Sequence, residues 1–193
     1  MPACHLYVLP LFREDIVKLG ISTDPLARVR AFSSRYYECF DLPRSLLVEF
    51  DSVAEARRRE TALHRQLRAW NAPAPLTVAA MAGGATEWYR GAWRLLFEAA
   101  SDDAARGHPA WLPAVAWWQT RLQAEQAELY EWSEACLRGV GSDDPIEPAR
   151  WASIADVLDA WPALGLEVDD ALPEAMATRY RAHRGAWRTG LAD

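Results

Sequence analysis

The chain has 193 residues, of which 51% are hydrophobic, and a formal net charge of −6. This length can bury a core for one or two small domains. No apolar run approaches the roughly 20 residues of a membrane helix, and no basic region followed by an apolar stretch marks a secretory signal. The three cysteines are far apart and form neither a disulfide framework nor a zinc-ligand spacing, so we expect a cytoplasmic protein.

Charge is distributed unevenly along the chain. Residues 1–100 contain 13 Lys and Arg against 11 Asp and Glu, a balance of +2, whereas residues 101–193 contain 8 against 16, a balance of −8. A polyanion would therefore prefer the first half of the chain and be repelled by the second.

Two short apolar segments near the N-terminus predict a β-hairpin. Residues 6–9 and 16–21 have the pattern of strands and are joined by a polar loop. Lys18 and Gly20 share one face of the second strand, because side chains alternate along a strand. The hairpin is expected to place Tyr7 on the same side of a small sheet as Lys18.

Two helices and a third strand are predicted after the hairpin. Asp24-Pro25 combines an N-cap acceptor with proline at the first helical position. Residues 46–50 form the predicted third strand, and Ser52 with Glu55 forms the capping box of the second helix. That helix has a regular stripe at spacings of three and four, consisting of Val53, Ala56, Glu60, Leu63, Leu67 and Trp70.

Glu60 is the charged residue in that stripe. A carboxylate on a buried helix face is costly unless it meets a cation, a metal ion or hydrogen-bond donors. The ordinary structural explanation is pairing with Arg57 or His64, each one helical turn away. Coordination of a metal ion is the functional explanation.

The chain changes character near residue 100. Residues 102–109 have the composition of a domain boundary, which predicts domains over residues 1–100 and 101–193. The second domain is acidic, holds seven of the ten tryptophans, and is expected to be helical over about 110–138, 148–161 and 173–188. The predicted fold is therefore α+β, a small antiparallel or mixed sheet with flanking helices, followed by an all-helical domain.

The first ninety residues contain an ordered set of short motifs: His5-Leu6-Tyr7, Lys18-Leu19-Gly20, Asp24-Pro25-Leu26-Ala27-Arg28, Glu60, and Thr86-Glu87-Trp88-Tyr89. In order and spacing the set resembles the GIY-YIG nuclease family, in the branch that carries lysine in place of the second motif tyrosine. The resemblance covers residues 4–100 and implies a metal-dependent endonuclease. The sequence departs from the family pattern at His5, Leu6 and Lys18.

The resemblance implies roles for a tyrosine and two cations. Tyr7 would lie near the scissile phosphate and act in deprotonating the attacking water. Free tyrosine has a pKa near 10, so Tyr7 needs a nearby cation, which Lys18 is expected to supply. Arg28 would bind phosphate oxygens through its two-pronged guanidinium and, with Lys18, stabilise charge developing at phosphorus. Arg30 or Arg35 offers the same chemistry as Arg28.

The resemblance also implies a metal site. Glu60 matches the family's helical metal-binding glutamate, and one carboxylate with waters and a phosphate is a normal way to hold Mg²⁺, with Mn²⁺ as the alternative ion. His64 is a candidate proton carrier or, equally, a structural residue. Glu87 and Asn71 are further candidate site residues, and Asn71 lies in a segment with the composition of a turn.

Together these features predict an endonuclease that hydrolyses nucleic-acid phosphodiester bonds, with DNA the favoured substrate. The helical domain is expected to bind a protein partner, to self-associate or to restrict access to the nuclease face. One alternative is a catalytically inactive module of the same fold that binds nucleic acid or protein. Another is a regulatory subunit of a defence or mobile-element system. Cleavage in the presence of a metal ion separates the nuclease from both alternatives.

Overall fold

The computed structural model describes residues 2–76, 86–141 and 146–189. The chain divides into two compact units, Met1–Trp118 and Gln119–Asp193, whereas the sequence placed the division between residues 100 and 101. The difference arises because Ala110–Trp111 pairs with the sheet of the first unit. In addition, Trp118 Nε1 donates a hydrogen bond to Ser45 Oγ at 2.7 Å.

The described part of the first unit contains five strands: β1 (Cys4–Pro10), β2 (Ile16–Ser22), β3 (Leu46–Phe50), β4 (Trp88–Arg90) and β5 (Ala110–Trp111). They form one antiparallel sheet in the order β4-β2-β1-β3-β5. The predicted hairpin of β1 and β2 is confirmed, with Tyr7 opposite Gly20 and Leu9 opposite Lys18. Tyr7, Gly20 and Lys18 therefore lie on the same face of the sheet.

The described helices that lie wholly in the first unit are α1 (Pro25–Phe32), α2 (Tyr36–Cys39), α3 (Val53–Gln66) and α4 (Trp93–Ala105), with 3₁₀ turns at Leu42–Arg44 and Arg68–Trp70. Of these helices, α1 and α3 begin where the sequence predicts. The Asp24 side chain accepts a hydrogen bond from the Ala27 N–H at 3.1 Å at the start of α1. The Ser52 hydroxyl accepts one from the Glu55 N–H at 3.2 Å at the start of α3. Such caps satisfy backbone donors that a helix start leaves without intrahelical partners.

The two faces of the sheet differ in character. One face is the apolar core, in which side chains of β1, β2 and β3 pack with those of α3 and α4: Leu6, Val8, Val17, Leu19, Val48, Ala56, Leu63 and Leu96. Each fully buried Leu or Val contributes about 1.5–3 kcal/mol. The opposite face carries Tyr7, Lys18 and Gly20, and α1 reaches it through Phe32, whose ring centre is 5.2 Å from Lys18 Nζ.

The second unit is helical in its described residues, as the sequence predicts. Its helices are α6 (Gln126–Leu137), α7 (Pro148–Leu158), α8 (Ala160–Ala163) and α9 (Glu174–Thr189), with a 3₁₀ turn at Asp169–Ala171, and α5 (Val115–Ala124) spans the division between the units. Within the segment expected to be helical over about 110–138, the chain forms β5, α5 and α6 in succession.

The described core of the second unit is apolar, and a partly buried hydrogen bond lies beside it. Ile154, Leu158, Trp161 and Met176 are buried, and the Tyr180 hydroxyl donates a hydrogen bond to Asp159 Oδ1 at 2.6 Å. Among the residues described for the whole chain, no helix combines the length and apolar character needed to cross a membrane.

Candidate active site

Tyr7 lies across from Gly20 on the non-core face of the sheet. Its side chain is buried, and the Arg28 guanidinium donates a hydrogen bond to its hydroxyl. Burial is the largest influence and raises the pKa of Tyr7 to about 12, although the hydrogen bond and the charge of Arg28 act to lower it. The Tyr7 side chain is therefore a protonated phenol at neutral pH.

Arg28 reaches Tyr7 from α1. Its guanidinium carbon lies 4.9 Å from the centre of the Phe32 ring, in the same helix, which is the geometry of a cation–π contact. The cation that hydrogen-bonds Tyr7 is thus Arg28, where the sequence analysis expected Lys18 to act. Arg35 is turned to Glu38, with Nε 2.7 Å from the carboxylate oxygen Oε2, so Arg28 and not Arg35 occupies this position.

Lys18 is fully buried, and its ammonium is neutralised by Glu87. The Lys18 Nζ to Glu87 Oε2 distance is 2.8 Å, and Nζ also lies 4.9 Å from the Trp88 ring centre. Burial lowers the pKa of Lys18, and the hydrogen bond and charge of Glu87 act to raise it. Glu87, predicted as an additional site residue, is therefore brought to Lys18.

Glu60 is buried, with 3% of its surface exposed, and meets both residues that the sequence proposed as partners. Arg57 Nη1 donates to Glu60 Oε2 at 2.9 Å, and His64 Nε2 lies 3.8 Å from Glu60 Oε1. The negative charge of Glu60 also raises the pKa of Tyr7 and of Lys18. The carboxylate on α3 therefore lies within electrostatic range of residues on the other face of the sheet.

A metal ion at Glu60 would take a single carboxylate from α3 and would have to replace the hydrogen bond that Arg57 now donates. Among the described residues, no three His, Cys, Asp or Glu side chains gather in a group that could enclose a metal ion. Mg²⁺ often takes one or two protein carboxylates and completes its shell with waters and substrate phosphate. Arg57, which bonds Glu60, has a side chain that is 64% exposed, so it can release the carboxylate oxygen without disturbing the core.

His64 is held between Glu60 and a tyrosine of β4. Its Nδ1 is hydrogen-bonded to the Tyr89 hydroxyl, and the two rings stack with their centres 5.8 Å apart. Burial raises the pKa of Tyr89 to about 12, with further contributions from the charges of Glu87 and Glu60. Tyr89 thus stays a neutral phenol, and His64 presents its other nitrogen to Glu60.

Asn71 connects two segments of the backbone through its side chain. Its side-chain amide donates to the backbone carbonyls of Thr86, at 2.8 Å, and of Trp88, at 3.2 Å. These bonds attach the segment after α3 to the start of β4, near Glu87. Asn71 therefore fixes the backbone that carries a site residue and does not join the Tyr7–Arg28 pair.

Sequence reasoning missed the role of two residues at this site. Tyr89 was noted only as part of a motif, although it holds His64. Phe32 was not predicted as a site residue, although it contacts both Lys18 and Arg28. The signal for Phe32 was its i, i+4 spacing from Arg28. No local signal links Tyr89 to His64, because the two residues are 25 positions apart.

Comparison with family models corrects the family predicted from the motifs. The model that matches is described as the T5orf172 domain, over residues 5–102. The GIY-YIG assignment is therefore wrong, and the chain departs from that family's pattern at His5, Leu6 and Lys18. Short motifs of one to five residues do not distinguish families that place similar polar residues in a similar order.

The matched segment contains all the predicted site residues, from Tyr7 to Glu87. Comparison with curated proteins and with solved structures gives no match. The T5orf172 domain is a nuclease-like domain family. Because the match covers half of the 193 residues, the chain belongs to the T5orf172 domain family.

Proposed function

We propose that this chain is a metal-dependent endonuclease that hydrolyses nucleic-acid phosphodiester bonds, with DNA the favoured substrate. The observation that carries the proposal is the position of the Tyr7 hydroxyl. It is hydrogen-bonded by Arg28 and is close enough to Glu60 for the charge of that carboxylate to affect its pKa. A phenol, a guanidinium and a helical carboxylate supply a site for water, a site for phosphate and a site for a cation. The match to a nuclease-like domain family supports the same class of reaction.

Arg28 would bind the scissile phosphate. Its side chain is partly exposed, and a guanidinium can donate two parallel hydrogen bonds to phosphate oxygens. Negative charge that develops on those oxygens during attack would be stabilised by the same donors.

Tyr7 would orient the attacking water. Since its pKa is about 12, the phenol is a poor base at neutral pH, and its oxygen would first accept a hydrogen bond from water. A cation bound at Glu60 would oppose the effect of the Glu60 charge, which raises the Tyr7 pKa, and so make the phenol a better proton acceptor.

Lys18 would contribute positive charge from inside the fold. Its ammonium is completely buried and bonded to Glu87, so direct contact with phosphate would require Glu87 to exchange its partner. We therefore assign the Lys18–Glu87 pair the role of positioning the strands on either side of the site, with Lys18 adding to the local potential.

Glu60 would hold Mg²⁺ or Mn²⁺, and His64 would orient its carboxylate or carry a proton. The ion supplies, when bound, polarisation of the phosphoryl oxygen and stabilisation of the leaving alkoxide. Arg57 would have to release Glu60 Oε2, from which it is now 2.9 Å away.

The test is cleavage of plasmid, linear duplex, single-stranded DNA and RNA with Mg²⁺, Mn²⁺ or a chelator. Wild type is compared with Glu60→Gln and with Glu98→Gln, an exposed glutamate that pairs with Arg94 on α4. We expect metal-dependent cutting by wild type and Glu98→Gln, and a loss of at least about 100-fold in Glu60→Gln, in the range for a catalytic charge interaction. Equal cutting by all three proteins, or none on any substrate, contradicts the proposal.

A second candidate is a binding module that does not cleave. The specific observation in its favour is that Glu60 already pairs with Arg57 and lies 3.8 Å from His64, so its burial is explained without a metal ion. Salt-dependent binding of nucleic acid without cleavage would select this candidate. Neither cleavage nor binding, together with a stable complex with another protein, would select the regulatory subunit.

A further inference from the structure

The exposed side of α3 carries a row of arginines beside the candidate active site. Arg57, Arg58, Arg65 and Arg68 are all exposed, and we call these four residues the arginine ridge. Residues 57, 58, 65 and 68 lie on one side of a helical cylinder, because each residue advances by about 100°. Arg68 continues this line in the 3₁₀ turn that follows the helix.

Three of the four ridge arginines lack the carboxylates that accompany other arginines of the first unit. Arg44, Arg94 and Arg106 each lie within 4.0 Å of a neighbouring acid. Among the described residues, no carboxylate pairs with Arg58, Arg65 or Arg68. These three side chains therefore keep their full positive charge at the surface.

The arginine ridge is continuous with the active-site carboxylate. Arg57 belongs to the ridge and donates to Glu60, which lies on the buried side of the same helix. From Arg57 to Arg68 the ridge extends about 16 Å, at about 1.5 Å per residue. A duplex strand carries one phosphate charge per about 3.4 Å of helix axis, so a ridge of this length can meet a few phosphates of the backbone.

We propose that the arginine ridge binds the phosphate backbone of a nucleic-acid duplex and guides it to the Tyr7–Arg28–Glu60 site. The proposed contact is independent of base sequence, because hydrogen bonds to phosphate oxygens carry no direct information about the bases. The first half of the chain has only a small net positive charge, but the ridge concentrates positive charge on one surface, where it can attract a polyanion. The binding of the duplex does not depend on the proposed function. Only its delivery to the Tyr7–Arg28–Glu60 site rests on that function.

The test measures binding and not cleavage, so that the two proposals fail separately. A fluorescent duplex is titrated with protein in chelator over a range of salt concentrations, and the slope of log K against log salt is compared between variants. We expect Arg58→Gln/Arg65→Gln/Arg68→Gln to reduce the magnitude of that slope by about 2 to 3, since each phosphate that the protein neutralises adds about 0.9. The corresponding triple Arg→Lys variant should retain most of the slope, because the charge remains.

The matched control is Arg44→Gln/Arg94→Gln/Arg106→Gln, which removes the same charge from exposed, acid-paired positions of the first unit. Its slope should stay close to that of wild type. An equal decrease of slope in both triple variants would mean that only net charge matters and would overturn the proposal. An unchanged slope in the ridge variant, tighter binding to single strands than to duplex, or no duplex binding by wild type would also overturn it. Duplex binding with the expected slopes by a protein that does not cleave would refute the proposed function and leave this inference standing.

Discussion

The Tyr7 ring lies directly against the backbone of Gly20. A β-carbon placed on Gly20 would stand 2.4 Å from the Tyr7 oxygen and 2.6 Å from Cζ, both far inside van der Waals contact. Tyr7 and Gly20 are also opposite each other in the β1–β2 ladder. The absence of a side chain at residue 20 therefore creates the space in which the Tyr7 hydroxyl meets Arg28.

Gly20→Ala is expected to displace the Tyr7 ring and weaken its bond to Arg28. Because Tyr7 is buried, the displacement should cost about 1–3 kcal/mol of unfolding free energy, as overpacking usually does, and should reduce cleavage by at least tenfold. Urea unfolding and single-turnover cleavage measure the two effects.

The control for that change is Gly185→Ala, which adds a methyl group on α9 with nothing within 4 Å. It should leave cleavage unchanged and stabilise the helix by up to about 1 kcal/mol. In a Tyr7→Phe background, Gly20→Ala should cause no further decrease in cleavage, because both changes act through the same hydroxyl. A full additional decrease in that background would show that Gly20 acts elsewhere.

Replacing Glu87 should destabilise the protein more than replacing Lys18, its partner in the buried ion pair. Glu87→Gln leaves a fully buried ammonium without its carboxylate and should cost about 3–5 kcal/mol. Lys18→Met removes the buried charge and leaves Glu87, whose side chain is 27% exposed, able to turn to water. Chemical denaturation of both variants checks the order; a greater destabilisation by Lys18→Met would contradict this explanation of the pair.

Tyr89→Phe should release Nδ1 of His64 while preserving the ring stack. We expect a decrease in stability of about 1 kcal/mol, the usual value for one hydrogen bond, and a change in the tautomer population of His64. Ring-nitrogen chemical shifts of His64 measure that population. Tyr130→Phe, at an exposed position of α6, is the control, and an unaltered His64 spectrum in Tyr89→Phe would disprove the link.

Alkaline pH should destabilise the protein through two of its buried phenols, those of Tyr7 and Tyr89. The pKa values of Tyr7 and Tyr89 are raised from 10.0 to about 12, so between these values the folded state holds protons that the unfolded state releases. The resulting stabilisation is present below about pH 10 and disappears as the pH rises towards about 12. Tyrosinate absorbance should titrate late for these residues, and Tyr7→Phe should remove part of the pH dependence of unfolding.

Local sequence signals predicted the beginnings of elements well. Asp24 and Ser52 act within three residues of themselves, and helix geometry brings Arg57 and His64 to Glu60, so these contacts follow from spacing alone. The pairing of β5 was not predicted, because a two-residue strand has no periodicity. Its register, with Trp111 opposite Leu47, depends on packing between distant segments.

The residues on the non-core face were predicted, but their pairing was not. Tyr7 and Lys18 share that face as the alternation of strands requires. Which cation pairs with Tyr7 depends on Glu87. This residue directly precedes β4 and is 69 positions from Lys18, with which it pairs. Once Glu87 takes the ammonium, Arg28 is the cation at Tyr7, an outcome that spacing within the hairpin cannot reveal.

The two outermost strands of the sheet are also its shortest, with three residues in β4 and two in β5. Long exposed strand borders offer rows of amide and carbonyl groups to other chains and promote aggregation. Here each border presents only a few such groups. A high local concentration of this protein along a nucleic acid would therefore carry little risk of sheet-to-sheet fusion between neighbouring molecules.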